Sequence, residues 1–454
     1  MVIILTQILS VAGLIIIGVL LFELIIFFHE GGHFICAKRS GIKVNEFALG
    51  MGPKIFSFQK GETTYSFRIF PIGGYCAMEG EDEESDNPRA FNNAKVWKRM
   101  IVIIAGAVMN IILGLIFMFV IVIQQPSFSS TTVGDFQPNS FSANSGLMTG
   151  DQIVRLNNYD IMTSRDLSFA IGTMKPDTVD GDSLSIYKED CTGAITKLYI
   201  SLANDGALSD DVSQNLLNYL KEKCTLINSA ETRGDAYRIM ADSYSEMNTV
   251  AGVTEYTVPD IEIRESRQRY RTDVDVIRND ERITLNDVDL FTYSTDGGET
   301  ASVAIDFSVM PVEKTFFSVM GETWGQTISV VRMVWASLVG MVTGQFGWQD
   351  ISGPVGVTSA ITQVASAGLE QSFMAAVNNI ILIMVVITVN LGIFNMLPFP
   401  ALDGGRFVLL LIEGIFRKPV PRKIESYINA GGFAILMLFM ILISVKDLWQ
   451  LFVK

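Results

Sequence analysis

The sequence predicts a polytopic α-helical membrane protein, with about four transmembrane helices and a separate α+β domain outside the bilayer. Three observations predict it. First, 49% of the 454 residues are apolar against 18% charged, and mean hydropathy is +0.35, a balance unusual for a water-soluble chain. Second, four apolar stretches approach or exceed the roughly 20 residues that cross a bilayer as a helix. Third, the charge is segregated: residues 126–314 hold 16 basic and 31 acidic residues, in a chain whose net charge is −14. The same numbers exclude a disordered chain, a collagen-like repeat and a small disulfide scaffold. The acidic pI of about 4.7 excludes a basic nucleic-acid binder.

The elements follow in chain order. The first stretch, residues 2–28, is interrupted by Thr6, Gln7, Ser10 and Glu23 and lacks a basic n-region or a small-residue cleavage site, so it reads as an uncleaved anchor. Residues 45–78 alternate turn glycines with short β-prone runs. The second stretch, 101–123, has Asn110 as its one strongly polar member. Within the acidic segment, residues 131–203 carry a turn around Gly150 and Asp151, a strand-like run from Ile153 and a helix from Arg165. β-prone runs follow at 183–187 and 194–202. Residues 205–300 read as an inserted α+β module, with helical spacing over 205–247 (Leu216, Leu217, Leu220) and strand-like alternation over 256–289. Cys191 and Cys224 are compatible with a disulfide or with two free thiols.

Residues 316–344 repeat apolar side chains at Val319, Ile328, Val331, Val334, Trp335 and Leu338 but include Glu322 and Arg332. That pattern suits an amphipathic helix at the outer interface better than a fifth span. The third and fourth stretches are 373–397 and 430–445. Basic residues flank the inner ends of all four: Lys38 and Arg39, Lys98 and Arg99, Arg406, and Arg422 with Lys423. By the positive-inside rule, both termini and the acidic segment face away from the cytoplasm.

At the inner end of the first stretch stands His29-Glu30-Gly31-Gly32-His33, and these are the only two histidines in the chain. Four residues apart on a helix, they share a face and can share a cation. Glu30 beside them is placed as a general base toward a water. Ionisable groups at the end of an apolar span are costly unless paired or ligated, so they point to function. Gly31 and Gly32 each cost a helix about 1 kcal/mol against Ala, which points to close backbone approach beside a metal. Glu23, seven residues before Glu30 on nearly the same face, is expected to pair with a polar group in the bundle.

A third ligand is needed. Cys36 is near in sequence, but the better candidate is Asp403 in Asn395-Met-Leu-Pro398-Phe-Pro400-Ala-Leu-Asp403-Gly404-Gly405. Prolines free backbone groups from the helix ladder, which is tolerated at membrane depth only where the irregular backbone is buried or lines a cavity.

Together these motifs resemble the site-2 protease family of intramembrane zinc metalloproteases. Besides HExxH and NxLPxPxLDGG, the chain carries Gly50-Met51-Gly52-Pro53, then Tyr65-Ser66-Phe67-Arg68-Ile69-Phe70-Pro71-Ile72-Gly73-Gly74-Tyr75, and SGPVG from Ser352 to Gly356. One departure is Ala105-Gly106-Ala107-Val108-Met109-Asn110, where the family has AGPxxN. The resemblance implies that His29, His33 and Asp403 ligate Zn2+, that Glu30 is the base, and that Asn395 orients the substrate. Pro398, Pro400, Gly50 and Gly52 join it as expected substrate-binding residues. The family's re-entrant β-sheet falls in 45–97. Residues 126–204 resemble a PDZ domain, with Asn158 where its GLxxGDxIxxxNG pattern has Gly.

The division expected is a first transmembrane helix over 1–44, the re-entrant β region and loop over 45–97, and a second transmembrane helix over 98–125. The PDZ-like domain (126–204) and the inserted module (205–312) follow, then the amphipathic helix and SGPVG segment over 313–370. The third transmembrane helix takes 371–405, and a cytoplasmic loop with the fourth takes 406–454. The implied location is the inner (plasma) membrane, with the PDZ-like domain extracytoplasmic. The implied partners are single-span membrane proteins, such as anti-sigma factors trimmed by an upstream site-1-type protease or remnant signal peptides, and no nucleic acid. A non-proteolytic metal-binding receptor or transporter, or a PDZ scaffold, is the alternative. Glu30 disfavours it, since a pure ligand site needs no base beside two histidines.

Overall fold

The computed structural model describes residues 2–453 except 82, 84, 138–139, 181–182, 205–209, 254–256, 262–265, 295–300, 348, 350 and 419. Parts of the module expected over 205–312 therefore lie outside the described residues. The chain divides into two units, one made of residues 1–126 with 315–454 and the other of 127–314.

Helix α1 (Val2–Ser40) runs unbroken through the first apolar stretch and past the histidines. Gly41, at φ +82°, ends it, and the Gly41 and Ile42 amides turn back to the Lys38 and Ala37 carbonyls, a left-handed glycine stop. A long antiparallel hairpin follows, β1 (Val44–Lys60) and β2 (Thr63–Met78), and then α2 (Val96–Val122). Its root joins α1 and α2 in one core through Ile42, Val44, Phe47, Cys76, Met78, Val102 and Ile103.

In the second unit come β3 (Ser127–Phe136), α3 (Phe141–Asn144), β4 (Gln152–Leu156), β5 (Tyr159–Asp160), α4 (Ser164–Gly172) and β6 (Asp177–Asp180). Three helices follow, α5 (Ser183–Asn204), α6 (Asp210–Ser229) and α7 (Arg233–Val250). The unit closes with β7 (Ser266–Arg278), β8 (Glu281–Ser294), β9 (Ala301–Ala304) and β10 (Phe307–Glu313). One sheet runs in the order β10-β3-β4-β7-β8-β9, with β5 on β4 and β6 on β7. The strands after residue 265 thus complete a sheet begun before residue 157, and the three helices are what is inserted between them.

The β-prone runs expected at 183–187 and 194–202 are helical. Tyr187, Cys191, Ile195, Leu198 and Leu202 are all buried, at spacings of four, four, three and four. This 3.6-residue periodicity, satisfied by packing on α6 and α7, overrides the local strand preference of Ile and Tyr. Cys191 and Cys224 both lie in that helical core and form no disulfide. Arg269 ties the helices to the sheet, donating to Glu189 at 2.7 Å and to Asp289 at 3.1 Å.

The first unit resumes with α8 (Phe316–Thr343), α9 (Pro354–Gln371), α10 (Phe373–Asn395), α11 (Asp403–Phe416) and α12 (Arg422–Val453). Among the described residues, five helices are long and apolar enough to cross a membrane: those over 13–40, 96–122, 316–343, 373–395 and 423–450. That is one more than the sequence reading. The addition is α8, expected at the interface, which packs on α2 and α10 and buries Thr323, Thr327, Ser329 and Val330. Small residues set the α2–α10 contact: a Cβ at Gly114 would lie 2.9 Å from Val389, and one at Gly392 would lie 3.0 Å from the Ala107 carbonyl.

The SGPVG segment docks α9 on α12. Asp447 of α12 accepts from the Gly353 and Gly356 amides, both at 2.8 Å. A Cβ at 353 would lie 2.5 Å from Ile443, so glycine is required for this approach.

Candidate metal centre

The His29 and His33 Nε2 atoms face each other at 3.3 Å, because residues four apart on α1 stack on one face. Asp403, the first residue of α11, brings its Oδ2 to 3.4 Å from each. These three donor atoms all lie within 4.8 Å of one another. His33 Nδ1 donates to the Val102 carbonyl at 2.8 Å, which in the neutral ring leaves Nε2 with a lone pair. Asp403 Oδ2 is buried without a hydrogen-bond partner among the described residues. Lone pairs that converge in a buried space repel unless a cation sits among them. Two imidazoles and a carboxylate make a donor set suited to zinc.

Asp403 is aimed by a broken backbone. Helix α10 stops at Asn395, Ala401 takes φ +72°, and α11 starts at Asp403. Gly404 and Gly405 then pass so close to the preceding turn that a Cβ would lie 2.2 Å from the Leu397 carbonyl oxygen and 2.3 Å from that of Phe399. The two glycines after Asp403 are therefore a steric requirement of the turn. Pro400 packs under α12, where a Cβ at Gly432 would come within 2.4 Å of its ring. Pro398 is exposed.

Glu30 lies against the hairpin, where its Cγ would be 3.7 Å from a Cβ at Gly74. Its carboxylate accepts from the Cys76 amide of β2 and lies within electrostatic reach of His29, His33 and Asp403. Asn395, the last residue of α10, sets its Nδ2 3.3 Å from His29 Nε2. Gly50 and Gly52 stand in β1 at φ +79° and +86°, and at both positions a Cβ would lie 2.7 Å from Phe70. The hairpin itself thus gives a reason for glycine at these two positions. Cys36 belongs to the edge of the α1–α2 core and not to the donor cluster.

Two expectations change. Gly31 and Gly32 do not share a role: a Cβ at 32 would lie 2.4 Å from the Ala105 carbonyl oxygen, whereas one at 31 meets nothing within 4 Å. Only Gly32 lies where α1 crosses α2. Glu23 is 6% exposed beside the Gly50 amide, and among the described residues neither carboxylate oxygen has a polar side-chain partner.

Sequence reasoning assigned no part of the site to α2, yet that helix backs both histidines. Val102, Gly106 and Asn110, at successive spacings of four, form a stripe antiparallel to His33 and His29. Val102 accepts from His33, and a Cβ at Gly106 would lie 2.4 Å from His33 Nε2 and 2.7 Å from His29 Cε1. Asn110 Nδ2 sits 3.2 Å from His29 Nδ1. The available signal was a lone amide in an otherwise apolar span, one turn after a glycine.

Among known proteins, Peptidase family M50 matches the chain over residues 17–439. The chain is similar to a Clostridium acetobutylicum protein, 30% identical over 433 residues that cover 95% of this chain and 96% of that one. It is also similar to the regulator of sigma-W protease RasP of Bacillus subtilis, 28% identical over 449 residues covering 96% and 98%. The zinc metalloprotease RasP of Bacillus licheniformis is 28% identical over 455 residues, with the same coverage.

Proposed function

The chain belongs to peptidase family M50 and is a zinc metalloprotease, and from that premise we propose that it hydrolyses peptide bonds within the transmembrane segments of single-span membrane proteins. In this reading His29, His33 and Asp403 hold the zinc and Glu30 is the general base. The observation that carries it is the convergence of three possible ligand atoms, two from a helix apolar enough to cross a membrane and one from the start of α11. A metalloprotease leaves no room for the non-proteolytic receptor, transporter or scaffold.

Zinc, when bound, supplies a Lewis acid that polarises the scissile carbonyl and lowers the pKa of the attacking water. Glu30 takes that water's proton on its carboxylate and delivers it to the leaving amine. The Asn395 amide donates toward the substrate carbonyl and orients it. A transmembrane helix ties each carbonyl to an amide four residues on, so the substrate must unwind first. The hairpin beside Glu30 exposes Ile55, Phe56, Phe58, Ile69 and Phe70, an apolar surface against which an extended segment can lie and pair by β-augmentation. Gly50, Gly52, Pro398 and Pro400 flank that segment.

The substrates proposed are anti-sigma factors already trimmed by a site-1-type protease, or remnant signal peptides. The sigma-W name of the Bacillus subtilis relative favours the first. The location proposed is the plasma membrane, with residues 126–314 outside the cytoplasm as a PDZ-like screen that admits trimmed ectodomains.

The test is cleavage of a tagged single-span reporter by detergent-purified protein, wild type against Glu30→Gln, with metal quantified in both. The expected result is about one zinc in each and cleavage by the wild type alone. Equal cleavage by both would remove Glu30 from the mechanism. Zinc without cleavage of any trimmed single-span reporter would overturn the substrate class.

A further inference from the structure

We propose that Asn110 is a positioning residue that holds His29 in the tautomer protonated at Nδ1, with its side-chain oxygen as acceptor, and so keeps the Nε2 lone pair turned into the metal centre. The proposal rests on the zinc reading above.

Three observations constrain the His29 ring. Its Nε2 is the atom inside the donor cluster, 3.3 Å from His33 Nε2 and 3.4 Å from Asp403 Oδ2. The Asn395 amide also faces that Nε2, at 3.3 Å. A proton on Nε2 would block ligation, so Nε2 must be an acceptor. A neutral imidazole then carries its proton on Nδ1, and the group facing Nδ1 must accept it. That group is the Asn110 amide, 3.2 Å away.

The amide has an acceptor to give. Asn110 is fully buried, and its Oδ1 has no hydrogen-bond partner among the described residues, an arrangement worth about 1–3 kcal/mol in lost hydrogen bonding. Amide oxygen and nitrogen have the same shape, so packing does not choose between them, and either orientation makes one hydrogen bond to the ring. The Nε2 lone pair that ligation needs selects the orientation with Oδ1 toward Nδ1. With Oδ1 toward the ring, the buried oxygen gains a donor and His29 gains the tautomer that ligation needs. His33 is served the same way by the Val102 carbonyl. Both histidines are thus held from one stripe of α2, the supporting contact that fixes ring orientation at metal sites. Asn110 is itself anchored, since Thr388 of α10 donates to its backbone carbonyl at 3.1 Å.

The experiment compares wild type, Asn110→Asp and Asn110→Leu as full-length detergent-purified protein. Zinc is titrated away with a competing chelator, and the proteins are also labelled with 15N-histidine. With only two histidines in the chain, the spectrum holds two rings and both tautomers are read directly. The expected wild-type spectrum shows both rings protonated at Nδ1. Asn110→Leu, which removes the acceptor at similar volume, should weaken zinc about 10- to 100-fold and perturb one ring only. Asn110→Asp, which keeps an acceptor, should stay within about tenfold of wild type. Melting of the metal-free proteins separates this from a folding defect. A wild-type His29 protonated at Nε2, or wild-type zinc affinity in Asn110→Leu, would overturn the proposal. Wild-type protein that binds no zinc would sink the zinc reading itself, and the tautomer assignment with it.

Discussion

His29 and His33 approach the centre from a continuous helix, whereas Asp403 approaches it from a broken one. On α1, the helical repeat places both imidazoles, and α2 needs only to come close, through Gly32 and Gly106, and to hold the rings with Val102 and Asn110. On the other side, the path from Asn395 to Asp403 leaves the helix, turns through Ala401 at positive φ and re-enters α11 over two glycines. The comparison teaches that a ligand pair set by helical spacing depends on how closely the helix behind it can approach. A ligand on a turn depends on the backbone immediately around it.

The largest effects should come from the ligands themselves. Asp403→Ala or His33→Ala should lose zinc and all measurable cleavage. Glu30→Gln should keep zinc and lose roughly two to four orders of magnitude in rate. Metal analysis beside a reporter assay checks both, and zinc retained in Asp403→Ala would remove the turn from the centre.

Next come the glycines on each side. Gly106→Ala puts a methyl 2.4 Å from His33 Nε2, and Gly404→Ala puts one 2.2 Å from the Leu397 carbonyl oxygen. Each should lower zinc affinity by at least about tenfold, as misplaced supporting groups do. Chelator competition on both variants breaks the comparison if one side proves indifferent. Gly32→Ala should follow, destabilising the protein by about 1–3 kcal/mol through overpacking against Ala105, read as a lowered denaturation midpoint. The smallest effect belongs to Gly31→Ala. With open space around the new methyl, it should be neutral or stabilise by up to about 1 kcal/mol through helix propensity. Opposite signs at two adjacent glycines would be the sharpest support for the crossing at Gly32, and equal losses would refute it.

Much of this was legible locally. The helical register of His29, Glu30 and His33 follows from a spacing of four, and the apolar stretches follow from composition. What was misread was decided by partners the local pattern does not name. Runs at 183–187 and 194–202 look β-prone residue by residue, yet α6 and α7 supply a surface that only a helix can match at Tyr187, Cys191, Ile195, Leu198 and Leu202. For helix α8, whose Glu322 and Arg332 suggested an interface, the burial of Thr323, Thr327 and Ser329 against its neighbours is likewise a tertiary fact that the local pattern does not give.

By itself the sequence determined a membrane-embedded chain, two histidines and a glutamate on one helix, and a proline-broken segment ending in an aspartate, because each depends on covalent spacing and the periodicity of one element. Only the tertiary structure decided which glycine lies at a crossing, that Asp447 receives the SGPVG amides, and that Val102, Gly106 and Asn110 stand behind the imidazoles. Those facts depend on which faces meet across tens to hundreds of intervening residues. Close packing admits only one arrangement of such faces, and no single segment encodes it.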